Sequence, residues 1–249
     1  MKLSSLDKSL KLLDALAGAP GGMGVSELAA ATGNSPSSTH HMLSTFALHD
    51  FVIKDPQTRK YSLGYRFLTL SRSILDNMDV RRIARPHLQR LFNAVGETAH
   101  LAVLRQGRVL YIDKIEKRGG LSLATYIGFT TAPHSAAGGK VLISEMTPDE
   151  IREIYPAEPL TSSGINTLST LEELFVDLAT TRRQGYALDD EEYYEGVRCV
   201  AAPIRAGGRI IASISLTGSI FTMTLERIET ELKGLLMEAA RNISAEMNW

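Results

Sequence analysis

At 249 residues, with 44% hydrophobic and 22% charged residues, the chain has the size and composition of one or two globular domains. No run of about 18 apolar residues occurs, which argues against a membrane-spanning helix; one cysteine, Cys199, leaves no internal disulfide and suits a reducing cytoplasm. The net charge of −1 conceals an asymmetry: residues 1–75 hold eight Lys and Arg against five Asp and Glu, a mildly basic head on an acidic body, as for a DNA-binding module joined to a second domain.

In residues 1–17, Asp7, Lys8, Lys11 and Asp14 interrupt the leucines, so the segment reads as an amphipathic helix and not a signal peptide. Helical spacing runs through Leu6, Leu10, Leu13 and Leu16-Ala17, with Ser4 or Ser5 as cap. Residues 18–24 form a glycine-rich break. A short helix capped by Ser26 and ended by Gly33 is expected to bury Leu28 and Ala29. Ser35 caps a third helix, with Pro36 at its first position, running to about His49. Residues 51–53 and 61–63, joined by the charged turn DPQTRK (55–60), read as a β-hairpin.

This order of helix, glycine turn, helix and basic hairpin is that of a winged helix-turn-helix. Thr39, Leu43 and Phe46 would pack inward. The opposite face then offers Ser37, Ser38, His41 and Ser44 to base edges, with Thr45 beside them, and His40 to a phosphate. Arg59 and Lys60 at the hairpin tip are placed for the DNA backbone or minor groove. With the helix-heading Ser26 and Ser35, these are the candidate DNA contacts. The competing reading is a three-helix domain with a solvated hairpin.

Residues 65–78 continue as a linker helix, and Asp79 opens another to about Ala94, with Pro86 inside it as a kink or break. Residues 98–105 and 108–115 are strand-like and joined at Gln106-Gly107; 121–127 is a further candidate strand. Helices are expected over 138–146, from Thr147-Pro148 onward, over 170–184 and over 225–247, with a hairpin of 197–204 and 209–217 between the last two. Residues 79–249 therefore read as an α+β domain with an antiparallel sheet.

An enzyme is the alternative reading, a small-molecule-binding α+β domain with a helical head that ignores DNA. Gly138-Gly139-Lys140 lacks the rest of a phosphate-binding loop. Cys199 lies in an apolar strand, where a buried structural or pocket thiol outweighs a nucleophile. The run Asp189–Glu192 reads as a solvated acidic loop ahead of a metal site. His100 and His134 stand without visible partners, and the adjacent His40 and His41 point about 100° apart, a poor metal pair. No cofactor or metal is expected.

The whole pattern resembles the IclR family of bacterial transcription regulators. The segments GVSELAAATGNSPSSTHHMLSTF, PHSAAGGKVLIS, GYALDDEEYYEGVRCVAAPIR and ASISLTG carry the likeness, with His41 standing where members more often have Arg. The resemblance implies a winged helix over residues 1–64 and a GAF-like effector-binding and oligomerisation domain over 79–249. It implies a homodimer or homotetramer on palindromic operator DNA, in the cytoplasm, with repression favoured over activation. It places a small organic-acid, aromatic-acid or sugar-acid effector beside Ala137 and Gly138. Asp189, Cys199, Ser215 and Thr217 would be the polar contacts, and Leu121, Leu123 and Val197 the apolar wall.

Overall fold

The computed structural model describes residues 4–116, 125–157, 159–161 and 164–247, and the chain divides into two compact units, 1–77 and 78–249. No described helix is long and apolar enough to cross a membrane.

In the first unit, α1 (Ser4–Ala17), α2 (Val25–Thr32) and α3 (Pro36–Leu48) precede a hairpin of β1 (Val52–Lys54) and β2 (Tyr61–Leu63), and α4 (Arg66–Asp76) follows. The helices and hairpin share one core of Leu12, Leu16, Leu28, Leu43, Val52 and Tyr61, none more than 3% exposed. Burying a leucine contributes about 1.5–3 kcal/mol, so a few side chains hold this small unit together. Of the leucines at helical spacing in α1, Leu16 is buried and Leu13 packs against the core, whereas Leu6 and Leu10 are about half exposed and Leu12 is buried instead. The helix carries leucines at a spacing of four in two registers, and only one register can face α2 and α3.

The start of α2 is a second correction. Gly24, not Ser26, is its N-cap, and the Gly24 N–H donates to Glu27 Oε2 at 2.7 Å. A carboxylate at the third helical position thus meets a donor at the helix start. Gly33 ends the helix in the left-handed region, φ 66°, where a side chain would be strained. Ser35 caps α3 as expected, accepting the Ser38 N–H at 3.2 Å. Helix α4, expected as the linker, falls within the first unit and buries none of its own residues.

The second unit begins with α5 (Asp79–Val95), unbroken through Pro86, then β3 (Thr98–Arg105), β4 (Arg108–Ile115) and β5 (Thr130–Thr131). A 3-10 turn, Pro133–Ser135, leads into α6 (Ala137–Ile143), α7 (Pro148–Ile154) and α8 (Leu171–Gln184). Strands β6 (Ala187–Asp190), β7 (Val197–Ala206) and β8 (Arg209–Ser219) follow, then α9 (Leu225–Arg227), a π turn Ile228–Leu232, and α10 (Lys233–Glu246). The six strands form one antiparallel sheet in the order β5-β4-β3-β8-β7-β6. Of the strand expected over 121–127, residues 121–124 lie outside the described residues and 125–127 are in no strand.

Strand alternation divides the sheet into two chemically distinct faces. Ala99, Leu101 and Val103 of β3, Val200, Ala202 and Ile204 of β7, and Ala212, Ile214 and Leu216 of β8 share a core with α5 and α10. The residues between them, His100, Cys199, Ser213, Ser215 and Thr217, turn to the other face, which α6 covers. Beyond α6, Ile143, Ile151, Leu160, Leu174 and Leu178 pack a separate layer with α7 and α8.

Candidate functional site

In the first unit, the apolar side of α3 is fixed by Thr39 and Leu43, both wholly buried. Ser37, His40, His41 and Ser44 are exposed on the other side, and Leu48 continues their face at 79% exposure. Ser38 and Thr45 flank it. The hydroxyls of Ser44 and Thr45 donate to the carbonyls of His40 (2.9 Å) and His41 (3.0 Å), so both present lone pairs outward. Ser35 is occupied as a cap, and Ser26 lies exposed on α2.

The hairpin tip is held in shape by Asp55. Its Oδ1 accepts the N–H groups of Gln57 (2.7 Å) and Thr58 (3.0 Å), which hold its carboxyl below the usual carboxylate range, Thr58 the more strongly. Arg59 sits at φ 59°, in the left-handed region, and its N–H donates to the Asp55 carbonyl at 2.9 Å. Arg59 and Lys60 are both exposed there.

In the second unit, strand register assembles a pocket on the face covered by α6. Asp189 pairs with Cys199 and Cys199 with Thr217, making a straight polar row across β6, β7 and β8. In the neighbouring row Ser215 lies between Ala201 and His100. Ala136, Ala137 and Gly138 at the start of α6 form one wall; Tyr111, Phe129, Tyr193 and Tyr194 form others. The cavity between these residues is small, about 30 Å³, the scale of one or two water molecules. Gly138 lets α6 lie close to the sheet: a Cβ there would stand 2.9 Å from Ser213 Oγ.

Burial sets the charge state of this lining. It pushes the His100 imidazole down to about 3, assisted by Lys114, so the ring is neutral at pH 7. Its Nε2 lies 2.9 Å from Thr125 Oγ1 and its Nδ1 3.5 Å from Thr217 Oγ1. Burial also raises the Tyr111 phenol and lifts the Cys199 thiol well above its usual range. The Asp189 carboxyl is pushed up to about 6 by burial, against the hydrogen bond it accepts from the Glu192 N–H at 2.9 Å. Four donors meet no partner among the described residues: the N–H groups of Ala137 and Gly138 in the first turn of α6, and the hydroxyls of Tyr111 and Ser215.

Of the nine effector positions named from sequence, Ala137, Gly138, Asp189, Val197, Cys199, Ser215 and Thr217 line this pocket. Leu121 and Leu123 lie outside the described residues. The expectation of a solvated acidic loop over 189–192 is corrected. Asp189 and Glu192 are buried, Asp190 pairs with Arg198 at 2.7 Å, and Glu191 accepts the Gly196 N–H at 2.8 Å. The run forms β6 and a tight turn, and each carboxylate has a defined donor. Among the described residues no group of three His, Cys, Asp or Glu could hold a metal ion. His100 and His134 are likewise not isolated, since His134 Nε2 lies 3.0 Å from the Thr161 carbonyl oxygen and its Nδ1 3.1 Å from the Tyr155 hydroxyl. Sequence reasoning missed Tyr111, Phe129, Tyr193 and Tyr194 as pocket walls. For His100 a signal existed, because it occupies the β3 position between Ala99 and Leu101 and so shares a face with Ser215.

Both units have counterparts among known proteins. Residues 5–56 match the IclR helix-turn-helix domain, and residues 72–245 match the bacterial transcriptional regulator IclR C-terminal domain. The chain is 33% identical to the HTH-type transcriptional regulator XynR of Escherichia coli K12, over 86% of each chain. It is 30% identical to the transcriptional repressor IclR of the same organism, over 98% of this chain and 89% of that one. A solved IclR homolog from Microbacterium hydrocarbonoxydans, complexed with 4-hydroxybenzoate, superposes with a TM-score of 0.84 at 24% identity, over 98% of both chains.

Proposed function

The chain belongs to the IclR family of bacterial transcriptional regulators, and on that premise we propose that it is a repressor released from, or tightened on, its operator by a small organic acid. The observation that carries the reading is the convergence on one pocket of four donors without a partner among the described residues, from Ala137, Gly138, Tyr111 and Ser215. A carboxylate satisfies several such donors at once. Ser37, Ser38, His40, His41 and Ser44 would read the major groove, with Arg59 and Lys60 on the backbone beside it. Ser26 and Ser35 retain only a phosphate role at the edges of that surface.

The reading places the protein in the cytoplasm with its operator, as a homodimer or homotetramer. Leu6 and Leu10 on α1, and Leu68 and Ile74 on α4, are apolar and exposed, as contacts between copies require. Catalysis is disfavoured by the pocket's chemistry. The Cys199 thiol is held far from ionisation, and His100, which could serve Ser215 as a base, is directed at Thr125 and Thr217 instead.

The test is anisotropy binding of the full-length protein to its own upstream intergenic DNA, titrated with glyoxylate, pyruvate, gluconate and 4-hydroxybenzoate. Specific binding altered by one acid supports the reading and names the effector class. Specific binding indifferent to every acid removes the acid from it, and absence of specific binding at low salt removes the operator.

A further inference from the structure

Among the described residues, Lys140 is the largest side chain that is wholly buried, and it does not line the pocket. Its ammonium lies 2.7 and 2.9 Å from the two carboxylate oxygens of Glu192 and 3.2 Å from Asp177 of α8. Burial alone would discharge it, but Glu192 and Asp177 outweigh that and hold it above the usual lysine range. An apolar pair of similar volume generally stabilises a fold as well as a buried ion pair does. Stability is therefore a poor reason for these two residues, and their positions supply a better one.

Lys140 stands one helical turn after Ala137 and Gly138, the wall of the pocket that offers free N–H groups. Glu192 is the fixed point of the opposite wall. Its N–H donates to Asp189, and its carbonyl accepts from the Gly164 N–H at 2.9 Å and the Thr167 hydroxyl at 2.5 Å. The next two residues, Tyr193 and Tyr194, face the pocket, with ring centroids 4.5 Å apart.

We propose that Lys140 and Glu192 are positioning residues for effector recognition: their ion pair ties the Tyr193-Tyr194 wall to the start of α6 and sets the width between them. The proposal rests on the reading of that pocket as the effector site. It assigns the pair a task that a hydrophobic substitute, equally stabilising, could not perform.

The experiment is hydrogen–deuterium exchange on the full-length protein, comparing wild type with Glu192→Gln and with the double variant Lys140→Met/Glu192→Leu. The double variant removes both charges, so it stays folded where the single one leaves a buried ammonium underpaired. We expect it to melt close to wild type, with amides of 190–196 exchanging at least about tenfold faster and the sheet unchanged. The acid active on the wild type should act on the double variant's operator complex only at about tenfold higher concentration. Exchange over 190–196 at the wild-type rate, or acceleration spread evenly through the unit, overturns the positioning role. A wild type that answers to no acid overturns the effector reading, and the pair's role in recognition with it, while the exchange still reports whether the wall is held.

Discussion

Single residues carry the two proposed recognition chemistries, and they do so on different backgrounds. Arg59 lies in water on an exposed hairpin tip, so in its proposed role a contact with DNA is electrostatic and screened by salt. Arg59→Ala is expected to weaken operator binding across sequences and lower the slope of log affinity against log salt by about one; an unchanged slope in anisotropy titrations would take Arg59 off the DNA. Ser215 is buried and the Tyr111 phenol is shielded by its neighbours, so in the proposed pocket the loss of one donor costs more. Ser215→Ala and Tyr111→Phe should each weaken the effective acid by roughly ten- to a hundredfold, the equivalent of about 1.5–3 kcal/mol, with operator affinity in the absence of acid unchanged. Isothermal titration of the folded variants checks this, and full affinity in both would empty the pocket of its proposed role. Much of this was legible in the chain, since Ser215 and Thr217 are two apart on a strand and must share a face. The aromatic walls were not. Phe129 lies past Gly128, beyond the strand expected over 121–127, and Tyr193 and Tyr194 follow four acidic residues that imitate a solvated loop.

At the scale of elements, legibility followed the strength of local chemistry. The capping boxes at Thr147 and Thr170, the left-handed stops at Gly33, Gly96 and Gly185, and the two-glycine turn at Gly207-Gly208 fix their boundaries by short-range physics. Strand β6 escaped because it is four residues long and ends in two aspartates, a residue type depleted in strands. The π turn at Ile228–Leu232 is invisible for another reason. One extra residue per turn changes no composition, only which side chains reach the core, here Ile228 and Leu232. In α1 both leucine registers are amphipathic, so only the packed structure chooses between them. Leu12→Ala should therefore cost the first unit about 2–5 kcal/mol, while Leu6→Ala leaves the stability of an isolated head nearly unchanged. Urea unfolding of the two variants decides, and equal losses would mean that Leu6 packs in the core as Leu12 does.

For the whole molecule, buried ionisable groups in the second unit tie stability to pH, and they pull in opposite directions. Burial lifts Asp189 from 3.8 to about 6, so the folded state holds a proton that the unfolded state has released. Its effect is stability that grows as pH falls through the folded value and declines as pH rises again. His100 has the reverse sign. Folding depresses it from 6.5 to about 3, and His134 is also lowered by burial, so below about 6.5 the unfolded chain takes up protons that these rings refuse. Between pH 8 and 6.5 these groups change little and the melting temperature of the larger unit should stay nearly flat. Below 6.5 the two histidines outweigh the one carboxyl and it should fall. Calorimetry of the full-length protein from pH 8 to 5 follows the transition of this unit. His100→Gln is expected to reduce that fall, and Asp189→Asn to steepen it. A melting temperature that rises from pH 8 to 6.5 would mean that Glu192 takes up a proton in the fold and leaves Lys140 without its charged partner.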